Sequence, residues 1–179
     1  MLKSKVMLSR KSLFLILFIC ASSIFAASSA NGEDEFRVTR VIDGDTVVLE
    51  DGRHVRYLGM DTPEKGYPYY AEAKGENERL VKGKKVRLEY DVGKTDRYGR
   101  TLAYVYADDI FVNAELVKNG YAMIYTFPPN VKYAKTFLAL QEEARKQKRG
   151  FWGLSRQVPQ NGKKSFWDYM AYKLGHIFR

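Results

Sequence analysis

The stretch from Phe36 to Glu64, FRVTRVIDGDTVVLEDGRHVRYLGMDTPE, decides how the rest of the chain is read. β-Branched and aromatic residues dominate it, and tight-turn pairs interrupt it at Asp43-Gly44 and Asp51-Gly52, the second a strong hairpin signal. Strands are therefore expected near 36–42, 45–50 and 53–60. Asp61-Thr62-Pro63-Glu64 ends the third, because proline restricts the residue before it and cannot join a ladder. A helix follows, roughly Tyr70 to Val81. Lys85 to Tyr90 and Thr101 to Ala107 then alternate as two more strands around a polar loop, Asp91 to Arg100, that holds Gly93 and Gly99.

Five strands with a helix after the third is the order of an OB-type Greek-key barrel, an α+β class that is mainly β. Asn113 stands where it would cap a short helix that stops at Gly120. Tyr133 to Lys148 has the apolar spacing of a third helix, with Tyr133, Phe137, Leu138 and Leu140 expected at its buried positions.

The ends of the chain differ from its middle. Of 179 residues, 45% are hydrophobic and 28% charged, which fits one compact domain with a core and excludes collagen-like, mucin-like and wholly disordered classes. The formal charge of +9 suggests an anionic partner, but it is unevenly placed. Residues 1–30 hold four bases and no acid, and residues 151–179 hold five bases and Asp168 alone, which leaves 31–150 nearly neutral. Polyanion binding by the middle must therefore come from local arrangement.

Lys3, Lys5, Arg10 and Lys11 precede an apolar run from Leu13 to Ala27 and then Ser28-Ser29-Ala30, the pattern of a secretory signal peptide. Cleavage is expected after Ala30. The run is short against the roughly 20 residues of a spanning helix, which argues against a retained anchor. A secreted or periplasmic protein is the expectation. The single cysteine, Cys20, lies inside this segment, preceded by Leu17-Phe18-Ile19, which resembles a lipoprotein box but has a bulky residue where a small one is expected, so lipidation is not the expectation. The mature chain would hold no disulfide and no thiolate.

After Gly150, Gln157 to Lys164 reads as a polar linker, so residues 31–155 form the expected domain and 156–179 a basic, aromatic tail. In that tail Phe166, Met170, Leu174 and Ile177 share a helical spacing beside Lys173 and Arg179. Such a face can dock on the domain or attach to a membrane or envelope surface.

Chemistry concentrates in three places. The first is the carboxylate set Asp43, Asp45, Asp61 and Glu64. Asp43 reads as a turn residue, whereas Asp45 and Asp61 lie at the start of one expected strand and the end of the next, where pairing could join their carboxylates. Two carboxylates so placed repel unless a cation joins them, and a hard ion such as Ca²⁺ takes such oxygen ligands. An EF-hand starting at Asp43 is excluded by Val47 and His54 at its fifth and twelfth positions.

The second place is the pair Arg56 and Arg100, whose guanidiniums offer paired donors to phosphate oxygens. The third is Tyr125-Thr126-Phe127-Pro128-Pro129-Asn130, with rings at alternate positions suited to stacking bases of a single strand. Taken singly, each has a commoner use as a turn residue, a surface ion pair or core packing.

Jointly they make the chain resemble the staphylococcal nuclease-like, or thermonuclease, family over about Phe36 to Trp152. The motifs that carry the resemblance are Ile42-Asp43-Gly44-Asp45-Thr46, then Arg56 with Asp61-Thr62-Pro63-Glu64, then Thr95-Asp96-Arg97-Tyr98-Gly99-Arg100 running into Leu102-Ala103-Tyr104. The resemblance implies a calcium-dependent phosphodiesterase that cuts DNA and RNA with little sequence preference and leaves 3′-phosphate ends. It implies Asp45, Asp61 and the Thr62 carbonyl as Ca²⁺ ligands, and Glu64 as general base. Arg56 and Arg100 would bind the phosphate in the transition state, and Arg97 and Tyr98 a neighbouring phosphate. Tyr125 and Phe127 would stack on a base, although the second ring lacks the family's hydroxyl.

The loop after Glu64 looks shorter and poorer in lysine than in the best-known members, with Tyr67, Tyr69 and Tyr70 there instead. Single-stranded or frayed nucleic acid is the expected substrate, and a monomer with no protein partner the expected state. The rival expectations are a non-catalytic nucleic-acid-binding OB domain and an envelope-attached binding protein.

Overall fold

The computed structural model describes residues 35–154, 165, 168–171 and 173. The proposed signal segment and its cleavage site lie outside the described residues, as do Phe166, Leu174 and Ile177 of the tail's apolar spacing. Among the described residues no helix is long and apolar enough to cross a membrane.

Strands β1 (Glu35–Val41), β2 (Thr46–Leu49) and β3 (His54–Tyr57) form two consecutive antiparallel hairpins. Asp51 shapes the second turn by accepting the Arg53 N–H at 3.0 Å, with Gly52 at φ 86°. Every residue of β2 is buried, so after Thr46 the strand reads as an apolar run, Val47 to Leu49, rather than an alternating one.

The third strand is shorter than its pattern suggests. Leu58 and Gly59 turn the chain out of β3, and Met60–Asp61 forms a separate β4 that pairs with β8 (Met123–Ile124). Gly59 permits this at φ 76°, and a Cβ there would fall 2.5 Å from the Phe137 ring. The break is therefore fixed by a helix packed much later in the chain.

β5 (Lys85–Glu89) and β6 (Thr101–Ala107) complete the barrel. β1 pairs antiparallel with both β2 and β5, β5 with β6, and β6 runs parallel to β3, so β1-β2-β3-β6-β5 closes into a five-stranded ring with no free edge among them. The short β7 (Ile110–Phe111) folds back on β6. The interior is filled by Val38, Val47, Val55, Val86, Ala103 and Val105 among others, each wholly buried and each such valine contributing roughly 1.5–3 kcal/mol.

Three helices cover the ring, as expected: α1 (Tyr70–Val81), α2 (Val112–Lys118) and α3 (Ala134–Lys146). A 3-10 turn follows at Gly150–Gly153. Two expectations need correction. Asn113 does not cap α2, whose N-cap is Phe111. Asn113 is instead a buried strut, accepting the Val105 N–H and donating to the Leu58 carbonyl, both at 2.9 Å, so it ties α2 to β6 and to the bend after β3.

Leu138 is 47% exposed. The buried stripe of α3 runs Phe137, Gln141, Ala144, because that face meets the barrel. Gln141 is used as a polar tie, accepting the Ile124 N–H of β8 at 2.9 Å.

Candidate active site

Asp45 stands at the mouth of β2, set by the turn before it. Asp43 accepts the Asp45 N–H at 3.1 Å, which is the turn role expected of it. Gly44 has no side chain for a reason: a Cβ there would sit 2.7 Å from the Thr62 side chain. That close approach lets Thr62 donate to one Asp45 oxygen through its N–H (2.8 Å) and its hydroxyl (2.9 Å), while Thr46 donates to the other at 3.1 Å.

Asp61 belongs to β4 rather than to the end of β3, so strand pairing is not what joins the two aspartates. Arg56 joins them. One terminal nitrogen lies 3.2 Å from Asp45 Oδ2, and the other lies 2.7 Å from Asp61 Oδ1. The first also donates to the carbonyls of Tyr57 (2.9 Å) and Met60 (3.0 Å), which fixes the guanidinium plane. Arg56 is thus no surface ion pair, since its side chain is only 13% exposed.

The electrostatics follow from that burial. Burial pushes the Asp45 carboxyl up, Asp43 adds to the rise, and Arg56 opposes it, leaving the group raised. Burial alone would weaken the Arg56 charge, but Asp45 and Asp61 on either side hold its pKa above the usual value.

Glu64 projects from the loop after Pro63 with a side chain 55% exposed. Arg100 closes the β5–β6 loop and lies on Asp96, with Nε 2.7 Å from Oδ2, while Asp96 also accepts the Tyr98 and Arg100 N–H groups. Burial works against the Asp96 charge, but those donors outweigh it and hold the carboxyl low. Arg100 is therefore aimed by a carboxylate that does not belong to the Asp45–Asp61 set.

Asp45, Arg56, Asp61, Glu64 and Arg100 all line one open cleft of about 510 Å³, and Tyr125 and Phe127 line it too. The two rings meet edge to face at 4.7 Å. Arg97 and Tyr98 do not line the cleft; they are exposed and pair with each other, the Arg97 guanidinium donating to the Tyr98 hydroxyl at 2.7 Å.

Two residues that motif reading did not single out for the site complete it. Lys173 places Nζ 3.1 and 3.0 Å from the two Asp61 oxygens and 3.4 Å from Glu64. The Tyr169 hydroxyl has its single proton within reach of the Asp61 carboxylate and of the Thr62 carbonyl, 2.6 Å away. Their spacing of four puts them on one helix face, which is the signal the sequence held.

The donor set can be tested against a metal ion. Among the described residues no three Asp, Glu, His or Cys converge on one point. Two buried carboxylates and the Thr62 carbonyl nevertheless offer only oxygen, the donor type of a hard cation, and the protein's own Arg56 and Lys173 already meet on Asp61. The residues fit a hard divalent cation that completes its shell with water or substrate oxygens.

Comparison with known proteins gives this geometry a lineage. The family described as staphylococcal nuclease homologue matches residues 54–154. The chain is 38% identical over 148 residues to the thermonuclease of Staphylococcus hyicus, covering 76% of this chain and 88% of that protein. It is 39% identical over 145 residues to the thermonuclease of Staphylococcus intermedius, covering 75% and 86%. Endonuclease YncB of Bacillus subtilis (strain 168) is 41% identical over 134 residues, 69% of this chain and 64% of that protein. A family model matching more than half of the chain, together with two thermonucleases spanned over 88% and 86% of their length at 38–39% identity, makes the chain a member of the staphylococcal nuclease family.

Proposed function

We propose that this nuclease is a secreted, calcium-dependent and sugar-nonspecific phosphodiesterase that hydrolyses DNA and RNA to leave 3′-phosphate ends. The observation that carries the reading is the convergence of Asp45, Arg56, Asp61, Glu64 and Arg100 on one cleft.

In this reading Asp45, Asp61 and the Thr62 carbonyl hold Ca²⁺, which when bound supplies Lewis-acid polarisation of the scissile phosphate and a template for it. Glu64 is exposed enough to meet solvent and takes a proton from the water that attacks phosphorus in line. As the water oxygen bonds to phosphorus the P–O5′ bond breaks, the 5′ oxygen takes up a proton from solvent, Glu64 later returns its own proton to solvent, and the phosphate stays on the 3′ side. Arg56 and Arg100 are anchored by two different carboxylate systems and both line the cleft, where their guanidiniums stabilise the developing phosphoryl charge. Tyr125 and Phe127 stack on a base, which favours single-stranded or frayed segments. Arg97 and Tyr98, outside the cleft, contact a neighbouring phosphate. The enzyme acts as a monomer; of the two expectations for the tail, docking on the domain is supported by the burial of Tyr169 beside Met123 and Phe151, and attachment to a membrane or envelope surface is the second reading.

The test is incubation of the purified chain with single-stranded DNA in calcium and then in excess chelator, following chain length with time. Calcium-dependent shortening with 3′-phosphate ends is expected. Cutting that persists in chelator would overturn the metal assignment, and a folded chain that binds without cutting would replace the enzyme reading by a binding one.

A further inference from the structure

The tail reaches into the cleft at the point where the cation reading puts the metal. Lys173 contacts both oxygens of Asp61 and one of Glu64, so a single ammonium spans a proposed metal ligand and the proposed general base. Tyr169 engages the same carboxylate, at Oδ2, and also reaches the Thr62 carbonyl. Two of the three groups assigned to the cation are thus engaged by the tail.

The contact is anchored. Tyr169 is wholly buried, its ring 5.1 Å from that of Tyr67, in a cluster with Met123 and Phe151, and Met170 packs against the same cluster. An aromatic side chain buried in this way removes about 150–250 Å² from water. Lys173 is 16% exposed, lines the cleft, and lies 5.5 Å from the Tyr125 ring. The Lys173 ammonium therefore reaches metal ligand, base and stacking ring at once.

We propose that Tyr169 and Lys173 form an autoinhibitory plug in which the lysine ammonium stands in for the divalent cation, so that tail docking and metal binding exclude one another. This rests on the reading of Asp45, Asp61 and Thr62 as the cation's ligands. The physical reason is charge: an ammonium within hydrogen-bond distance of Asp61 and a dication on the same carboxylate repel at short range in a partly buried cleft. Exclusion is reciprocal, so calcium must weaken tail docking by the same factor as the tail weakens calcium binding.

Calorimetric titration of calcium into the full chain and into Lys173→Met, without nucleic acid, tests the inference. The variant is expected to bind calcium about tenfold more tightly, within the usual span of coupled sites. Tyr169→Phe keeps the ring in its cluster and removes only the hydroxyl, and is expected to shift affinity in the same direction by less. In the unsubstituted chain, calcium is expected to speed amide exchange in the segment holding Tyr169 and Lys173. Thermal unfolding of each variant establishes that it is folded. Equal affinities, or weaker binding by folded Lys173→Met, would overturn the plug and make Lys173 a supporting part of the site. Absence of calcium binding in every chain would remove the cation reading and the plug with it.

Discussion

Two clusters of acids and bases flank the same β6 strand and are built differently. Outside the cleft, Glu89 accepts from the Tyr106 and Tyr133 hydroxyls (2.9 and 3.1 Å) and pairs with Lys132, while Asp91 accepts from Tyr104 and from the Lys132 and Val92 N–H groups. Inside it, Asp45 and Asp61 share Arg56, and Asp61 also takes its donors from the tail. Burial works against both outer acids, but hydroxyls, N–H groups and the Lys132 ammonium from the barrel and from the segment leading into α3 outweigh it and hold both low. Asp45 is raised instead. A carboxylate held low by several hydrogen-bond donors contributes stability, whereas Asp61, bracketed by the two cations Arg56 and Lys173, is suited to exchanging one of them for a ligand.

The contrast breaks most sharply on turnover. Glu64→Gln keeps the side chain's size and removes its basicity, and a general base contributes about 10²–10⁴-fold. A fall of that size in kcat is expected, with the melting temperature unchanged because Glu64 is largely exposed. Steady-state kinetics beside thermal unfolding checks it, and unchanged kcat would discard the assigned role.

Next in size is the response to calcium. A ligand that binds only the native state at one hundred times its Kd stabilises by about 2.7 kcal/mol. That gain is expected for the parent chain as a rise in melting temperature, and it should be absent in Asp45→Asn. Tyr133→Phe, altered only in the outer cluster, should keep the full rise.

The sequence carried the cleft well because its key positions are local. Asp43-Gly44-Asp45 shapes its own turn, and Asp61 and Thr62 come from one tetrapeptide, so short motifs sufficed to name residues the structure brings together. The barrel order was equally readable, since alternation and turn pairs mark each strand. What escaped depends on distant partners. The end of β3 is set by Phe137 against Gly59, Asn113 is claimed by Val105 and Leu58 instead of the helix end, and Leu138 yields its buried place to Gln141 because of where β8 lies. The tail's docking on Asp61 joins residues 108 apart and has no local pattern beyond the spacing of Tyr169 and Lys173.

The smallest effect lies in the outer cluster and carries a pH signature. Tyr133→Phe removes a hydroxyl that donates to Glu89 at 3.1 Å and leaves the ring among Tyr104, Phe111 and Phe137. A hydrogen bond to a charged group is worth about 1.5–3 kcal/mol, and with Tyr106 and Lys132 still in place the lower end, near 1.5, is expected. Burial works against the Glu89 charge, but Lys132, Tyr106 and Tyr133 outweigh it and depress the folded pKa. A depressed carboxylate contributes its full stability above its unfolded pKa and loses it as pH falls through the folded one. The gap between parent and variant should therefore be complete at pH 7 and close on acidification below the ordinary carboxylate range. Urea unfolding of both chains from pH 7 to pH 3 measures it. A gap independent of pH would mean that Tyr133 stabilises by ring packing alone, and a fall in kcat would tie the outer cluster to the cleft.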